Sequence, residues 1–416
     1  MLTLRRLWSL DHPVWLCGFR SFFLFAVLSA PLLVLAWGAF IAWGVPLPAT
    51  PGGAFVWHAH ELLFGFGLAA VAGFALTAVP EFTRSPAVGP RAVRLLALSW
   101  LTGRVAFWAS GAVGTAALIV SALAHLALLA GLIFLLAPRL WRHPERRHLS
   151  FLWALIALTL LVAGFYADAL SGASPARWLH ATLGVLMILI VVALSRISMR
   201  IVNASIDTWR EKGGTLRDEY RARPPRRNLA IVCIGLYTAV EFVAPGVRLG
   251  GWLALAASAA LFNLLNDWHV GRPLFRRWPL MLYLVYVLMA SGFGLIGFAL
   301  IGGDGAVSSG RHLLTVGALG LSVFVVVCIA GRTHGGYPLD ERRWIPASAA
   351  LLVAAAVMRA VAGGAGSHGV AWMSAASVAW VLAFALCCAY LAPLFVRARA
   401  NGGVGCEGPP PTPDGS

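Results

Sequence analysis

What most constrains this chain is where its charges are missing. No Asp, Glu, Lys or Arg occurs in 21–60, 105–138, 148–167, 178–195, 249–266, 278–303, 312–331 or 360–396. A helix that crosses the hydrocarbon core of a bilayer needs about 20 mostly apolar residues. The longest stretches hold most of two such helices, divided by Pro/Gly segments such as GVPLPATPGG at 44–53. The pattern predicts an all-α polytopic membrane protein with about twelve transmembrane helices. They are expected near 18–44, 55–80, 91–109, 112–137, 149–170, 177–200, 228–244, 248–267, 277–301, 311–331, 344–362 and 370–396. Only 12% of the residues are charged, about half the usual share of a soluble domain, which excludes an ordinary soluble enzyme. One membrane domain over 1–400 is expected, with a solvated, lipid-facing cytoplasmic loop at 201–227 between helices 6 and 7. The tail at 401–416 has the composition of disorder.

The basic residues are distributed unevenly. With the N-terminus in the cytoplasm, 26 of the 32 Lys and Arg fall in cytoplasmic segments. Arg177, Arg248 and Arg311 fall on the opposite side, and Arg104, Arg196 and Arg359 lie within helices. The positive-inside tendency therefore predicts that both termini are cytoplasmic. The net charge of +16 reads as attraction to anionic lipid rather than to nucleic acid. The six cysteines show no C-x-x-C spacing and no c-type haem attachment motif.

Ionisable groups inside a membrane are costly and are functional candidates for that reason. His58, His60 and Glu61 open helix 2, His180 opens helix 6 and His312 opens helix 10. Each of these helices starts with a His followed by Gly about one turn on: HELLFG (60–65), HATLG (180–184), HLLTVG (312–317). Three divergent four-helix repeats, each presenting one outer-side His, would account for this; coincidence among glycine-rich helices is the competing explanation. Neutral imidazole suits iron, copper and zinc, and two His on facing helices can ligate a haem. His58, His60 and His312 are the haem candidates, and His180 and His334 the copper candidates. Residues 58 and 60 diverge by about 200° on a regular helix, which leaves room for one ligand and one supporting residue. Glu61, Arg104, Asp168, Arg196, Glu241 and Arg359 are expected as supporting groups or buried charges, and His125 as a buried polar contact.

GFRSFFL (18–24), WHAHELLFGFGLAAVAGFALTAVPEFT (57–83) and HLLTVGALG (312–320) resemble the NnrS family, over nearly the whole chain. The resemblance implies a bacterial cytoplasmic-membrane protein that contains haem and copper and is linked to denitrification and nitrosative stress. It brings nitric oxide as a ligand, but no established reaction and no identified electron donor. SRISM (195–199) and GRTHGGYPL (331–339) depart from the family's pattern. Two other classes stay open. Twelve helices split by a basic loop also suit a secondary transporter, and a haem-free accessory or sensor protein would need neither metal nor substrate.

Overall fold

The computed structural model describes residues 9–143, 148–215, 219–303, 307–403 and 406. Arg5, Arg6, Arg146, Arg147 and Arg217, and most of the tail assigned to disorder, lie outside the described residues. The chain is 82% helical, and the described residues contain no strand. Twelve long helices follow one another: α1 (Gly18–Trp43), α2 (Gly53–Thr83), α3 (Pro90–Val113), α4 (Thr115–Arg142), α5 (Leu149–Ser171) and α6 (Ala176–Glu211). The second half adds α7 (Pro224–Val243), α8 (Arg248–Leu265), α9 (Arg277–Gly302), α10 (Val307–Thr333), α11 (Trp344–Ala362) and α12 (Gly369–Phe395).

Ten of the twelve are long and apolar enough to span a bilayer on their own; α3 and α7 are the exceptions. Arg104 in α3, and Arg226, Arg227 and Glu241 in α7, lower the mean hydropathy of those helices, and Arg104 and Glu241 are paired inside the bundle. Large side chains such as Leu32, Phe134, Leu160 and Phe298 stand fully outward. So much exposed apolar surface is a lipid-facing surface. Successive helices run antiparallel, so one end of the bundle carries the arginine-rich connections and the other the arginine-poor ones. At the arginine-poor end α3 and α4 are joined by Gly114 alone, at φ 79° and ψ −150°, a conformation that is essentially glycine's.

Burial repeats every four helices. Among the ten spanning helices, α2, α10 and α6 are the most deeply buried. A helix that is apolar all round belongs in the core of a bundle, and these three bring His58, His180 and His312 with them. Both α2 and α10 contain a π-helical turn directly after a His, at Glu61–Gly67 and Leu313–Leu319. No such turn occurs in α6.

At the arginine-rich end, α1 packs on α12. The buried Arg20 of α1 donates to the carbonyls of Leu394, Phe395 and Arg397 at the end of α12. This satisfies orphan carbonyls and places a cation where a helix terminus favours one. Cys17 and Cys406 are paired as a disulfide at the same end. The segment expected as a solvated loop over 201–227 is partly neither. At about 1.5 Å per residue, α6 outruns the hydrocarbon core and stays helical to Glu211. Tyr220 then folds back on it, exchanging hydrogen bonds with Asn203 at 2.8 and 3.2 Å.

Asp340, only 3% exposed, organises the connection from α10 to α11. Its carboxylate accepts from the Arg342 backbone N–H (2.9 Å) and Nη2 (2.5 Å), from Trp344 Nε1 (3.0 Å) and from Arg332 Nη1 (3.5 Å). The hydrogen bonds from Arg342, foremost, hold its carboxyl well below the usual carboxylate range despite burial. The stability this gives is present above the ordinary carboxylate pKa and is lost as pH falls toward the folded value. Asp340→Asn should therefore cost about 2 kcal/mol near neutral pH, as expected for hydrogen bonds to a charged group. Thermal unfolding in detergent should show the gap to wild type closing below about pH 4.

Candidate functional site

Helix α2 serves two sites on roughly opposite faces. One face presents His58, Ala59, Leu62, Leu63 and Phe66 to a cavity of about 380 Å³. The other presents His60 and Glu61 to α3, α4 and α5. His58 and Glu61 are i, i+3, yet they fall on either side of the boundary.

The closed face holds a network of buried polar groups. Arg104 Nη1 donates to Glu61 Oε1 at 2.7 Å, and Arg104 Nη2 donates to His125 Nε2. Because that nitrogen accepts, His125 carries its proton on Nδ1, which faces the Ser121 carbonyl at 2.8 Å. His60 Nδ1 lies 3.1 Å from Glu61 Oε1, an atom that only accepts, so His60 donates there. Its Nε2 then accepts from the Tyr166 hydroxyl at 3.0 Å. Tyr166 also lies 2.7 Å from the Ser121 hydroxyl, and His60 stacks on Phe107 with ring centroids 3.5 Å apart. Both ring nitrogens of His60 are thus engaged, and the guanidinium and carboxylate charges cancel.

Local structure makes room for this network. A Cβ on Gly65 would stand 3.0 Å from Arg104 Nη1, and one on Gly103 would stand 2.6 Å from the His125 ring. The π-turn carries Gly65 beneath Glu61, and Trp100 Nε1 on α3 donates to the Gly65 carbonyl at 3.0 Å. π-turns inside α-helices concentrate at functional sites.

The open face is a different environment. The cavity is walled by α1, α2, α6, α10, α11 and α12, and aromatic and aliphatic side chains such as Trp37, Phe55, Leu319 and Trp380 dominate it. Its polar groups are few: His58, His180, Ser308, Arg311, His312, Thr315, Arg359 and Ser377. His58 stacks on Trp37, ring centroids 4.1 Å apart. His312 places Nδ1 2.7 Å from the Ser308 carbonyl. A carbonyl can only accept, so Nδ1 bears the proton and Nε2 keeps its lone pair. That arrangement is habitual for a metal-ligating imidazole. Arg311 is paired with Glu241 at 2.8 Å.

Of the residues singled out from the sequence, His58, His180, His312 and Arg359 meet at the cavity, and Glu241 reaches its rim through Arg311. His60, Glu61 and Arg104 belong to the closed network, where His125 joins them. Asp168 lies at the end of α5 and accepts from Trp178 Nε1 (2.7 Å) and Arg177 (3.1 Å). Arg196 does not line the cavity. His334 stands at the far, arginine-rich end of α10, 3.5 Å from Glu81. Burial first, then Arg399 and Arg200, push its pKa down to about 4, so it is neutral near pH 7. Among the described residues no group of three or more His, Cys, Asp or Glu could hold a bare metal ion. Sequence reasoning missed Tyr166 and Ser121, which carry no local signal. It also missed Arg311, whose place beside His312 was a usable one.

The architecture and the cavity define a polytopic helical membrane protein with an apolar, His- and Arg-bearing chamber among its central helices. The chain belongs to the NnrS family: the family model described as NnrS protein matches residues 13–399. No curated protein matches it. Membership of the family supports a membrane protein linked to the nitric oxide response.

Removing one partner of a buried ion pair leaves the other charge unpaired, at a cost of about 3–5 kcal/mol. Arg104→Met alone should destabilise the protein by that amount in detergent unfolding. Adding Glu61→Gln should restore much of the loss, and additive losses in the double variant would show that the pair is not coupled.

Proposed function

We propose that this chain is an integral membrane haem protein of nitric oxide metabolism or nitrosative-stress protection, with haem held between His58 of α2 and His312 of α10. The observation that carries it is His312: its Nδ1 is tied to the Ser308 carbonyl, and its free Nε2 belongs to a residue lining the same cavity as His58. Three further features fit a haem. The histidines stand on facing central helices, the walls are apolar and aromatic, and no described cluster suits a bare ion instead. Haem, when bound, supplies an iron that takes diatomic ligands such as nitric oxide. The residues here orient the imidazoles, exclude water and hold the helices in register. His60, engaged on both nitrogens, is assigned to support rather than ligation. Copper at His180 would draw on the same cavity, whereas His334 lies away from it. The arginine-rich end is assigned to the cytoplasm, which puts the cavity in the outer half of the membrane.

The rival is a secondary transporter, and the two arginines in the cavity are what favour it. An absorption spectrum of the purified protein separates the two, taken oxidised and dithionite-reduced, with and without nitric oxide, and with iron and copper quantified. The haem reading expects a Soret band that shifts with nitric oxide. His58→Ala and His312→Ala should each lose haem or change its ligation, while His60→Ala keeps the band in a less stable protein. A colourless, metal-free preparation from haem-replete cells would sink the proposal and move the transporter ahead.

A further inference from the structure

Among the described residues, Arg359 is a cation without a counter-charge. It sits in the last turn of α11 and lines the cavity together with His58 and His312. Among the described residues it has neither a carboxylate partner nor a hydrogen-bond acceptor. Helices α1, α11 and α12, which wall the cavity around it, contain no Asp or Glu. The one acid on α2, Glu61, is committed to Arg104 on the opposite face. The other cavity cation, Arg311, is already neutralised by Glu241. The described part of the chamber therefore carries one net positive charge, part-buried among apolar walls that offer it no counter-charge. An occupant that brings an anion supplies the missing charge.

We propose that Arg359 is the anion-recognition residue of this cavity and binds a carboxylate of its occupant, which on the haem reading is a propionate. The inference rests on that reading and narrows it: the site takes an amphipathic ligand, apolar ring against the aromatic wall, carboxylate on Arg359. Guanidinium is suited to this because its planar fork matches carboxylate geometry and it stays charged throughout the accessible pH range. The bland account, that Arg359 merely interacts with the C-terminal end of its own helix, gives no reason for the occupant to carry a charge.

The test compares haem b with its dimethyl ester, in which both propionates are uncharged. Each is titrated into the full chain produced without haem, and the Soret band reports affinity and ligation. Wild type is expected to favour the free acid by about tenfold or more, equivalent to about 1.4 kcal/mol per decade. Arg359→Gln should erase that preference while leaving the band position set by the histidines unchanged, and Arg359→Lys should retain part of it. Equal affinity of wild type for acid and ester overturns the arginine assignment and leaves the haem site standing. A preference that survives in Arg359→Gln does the same. Binding of neither form overturns the haem reading, and this assignment with it. Should Arg359→Gln fail to fold, the comparison on wild type still decides.

Discussion

Glu61 and Arg104 put two charges where hydrocarbon would otherwise surround them, and much of the bundle is arranged around that fact. Desolvating an ion costs several kcal/mol even after relaxation, and a buried pair is tolerable only when its remaining hydrogen-bonding capacity is met. Here most of it is met by groups from α3, α4 and α5, with Arg104 Nε left unpartnered. His125 comes from α4, Tyr166 from α5, and α3 brings both the guanidinium and the Trp100 indole. Each contact needs a close approach, which is why Gly65 and Gly103 stand where a methyl group would collide. The network pins one face of α2, and His58 is presented to the cavity from the other. The closed site and the open one are thus parts of a single positioning device.

The cavity shows the opposite economy of polar groups. Its histidines stand apart on different helices, unlike the closed network where imidazole, phenol and carboxylate share hydrogen bonds. His312 adds directionality, because the Ser308 carbonyl fixes which nitrogen carries the proton. A backbone carbonyl placed behind the ring in this way removes the tautomeric freedom of the imidazole.

The twelve helices were legible because a bilayer allows few alternatives. Charge-free runs and their Pro/Gly breaks locate α1 and α12 within a residue or two. His58, His180 and His312 were visible as well, and the helices that carry them are the most deeply buried of the ten spanning ones. The HAH pair posed a choice that spacing alone left open, because residue 58 lies near the boundary between the two faces of α2. Arg311 was counted only as an outer-side charge, and the path of α10 brings it to Glu241. Tyr166 and Ser121 were invisible because a polar side chain in an apolar helix reveals neither its partner nor its purpose. The segment after residue 200 misled because arginine-rich composition resembles a solvated linker, whereas the Asn203 side-chain amide pairs with the backbone N–H and carbonyl of Tyr220, a match that composition does not record.

The two π-turns bear on how such chains can be compared with one another. A π-turn holds one residue more than a regular helix needs for the same span, so the genes for α2 and α10 each carry a codon that ordinary helical geometry would not require. A relative lacking that codon could close the same span with a regular helix, and the letters beyond it would keep their facing. A relative that kept the codon but wound the turn as regular helix would instead carry everything beyond it round by about 100°. A single gap in an alignment at either turn therefore marks where the helix bulges, and the side chains after it look the same way on both sides of the gap.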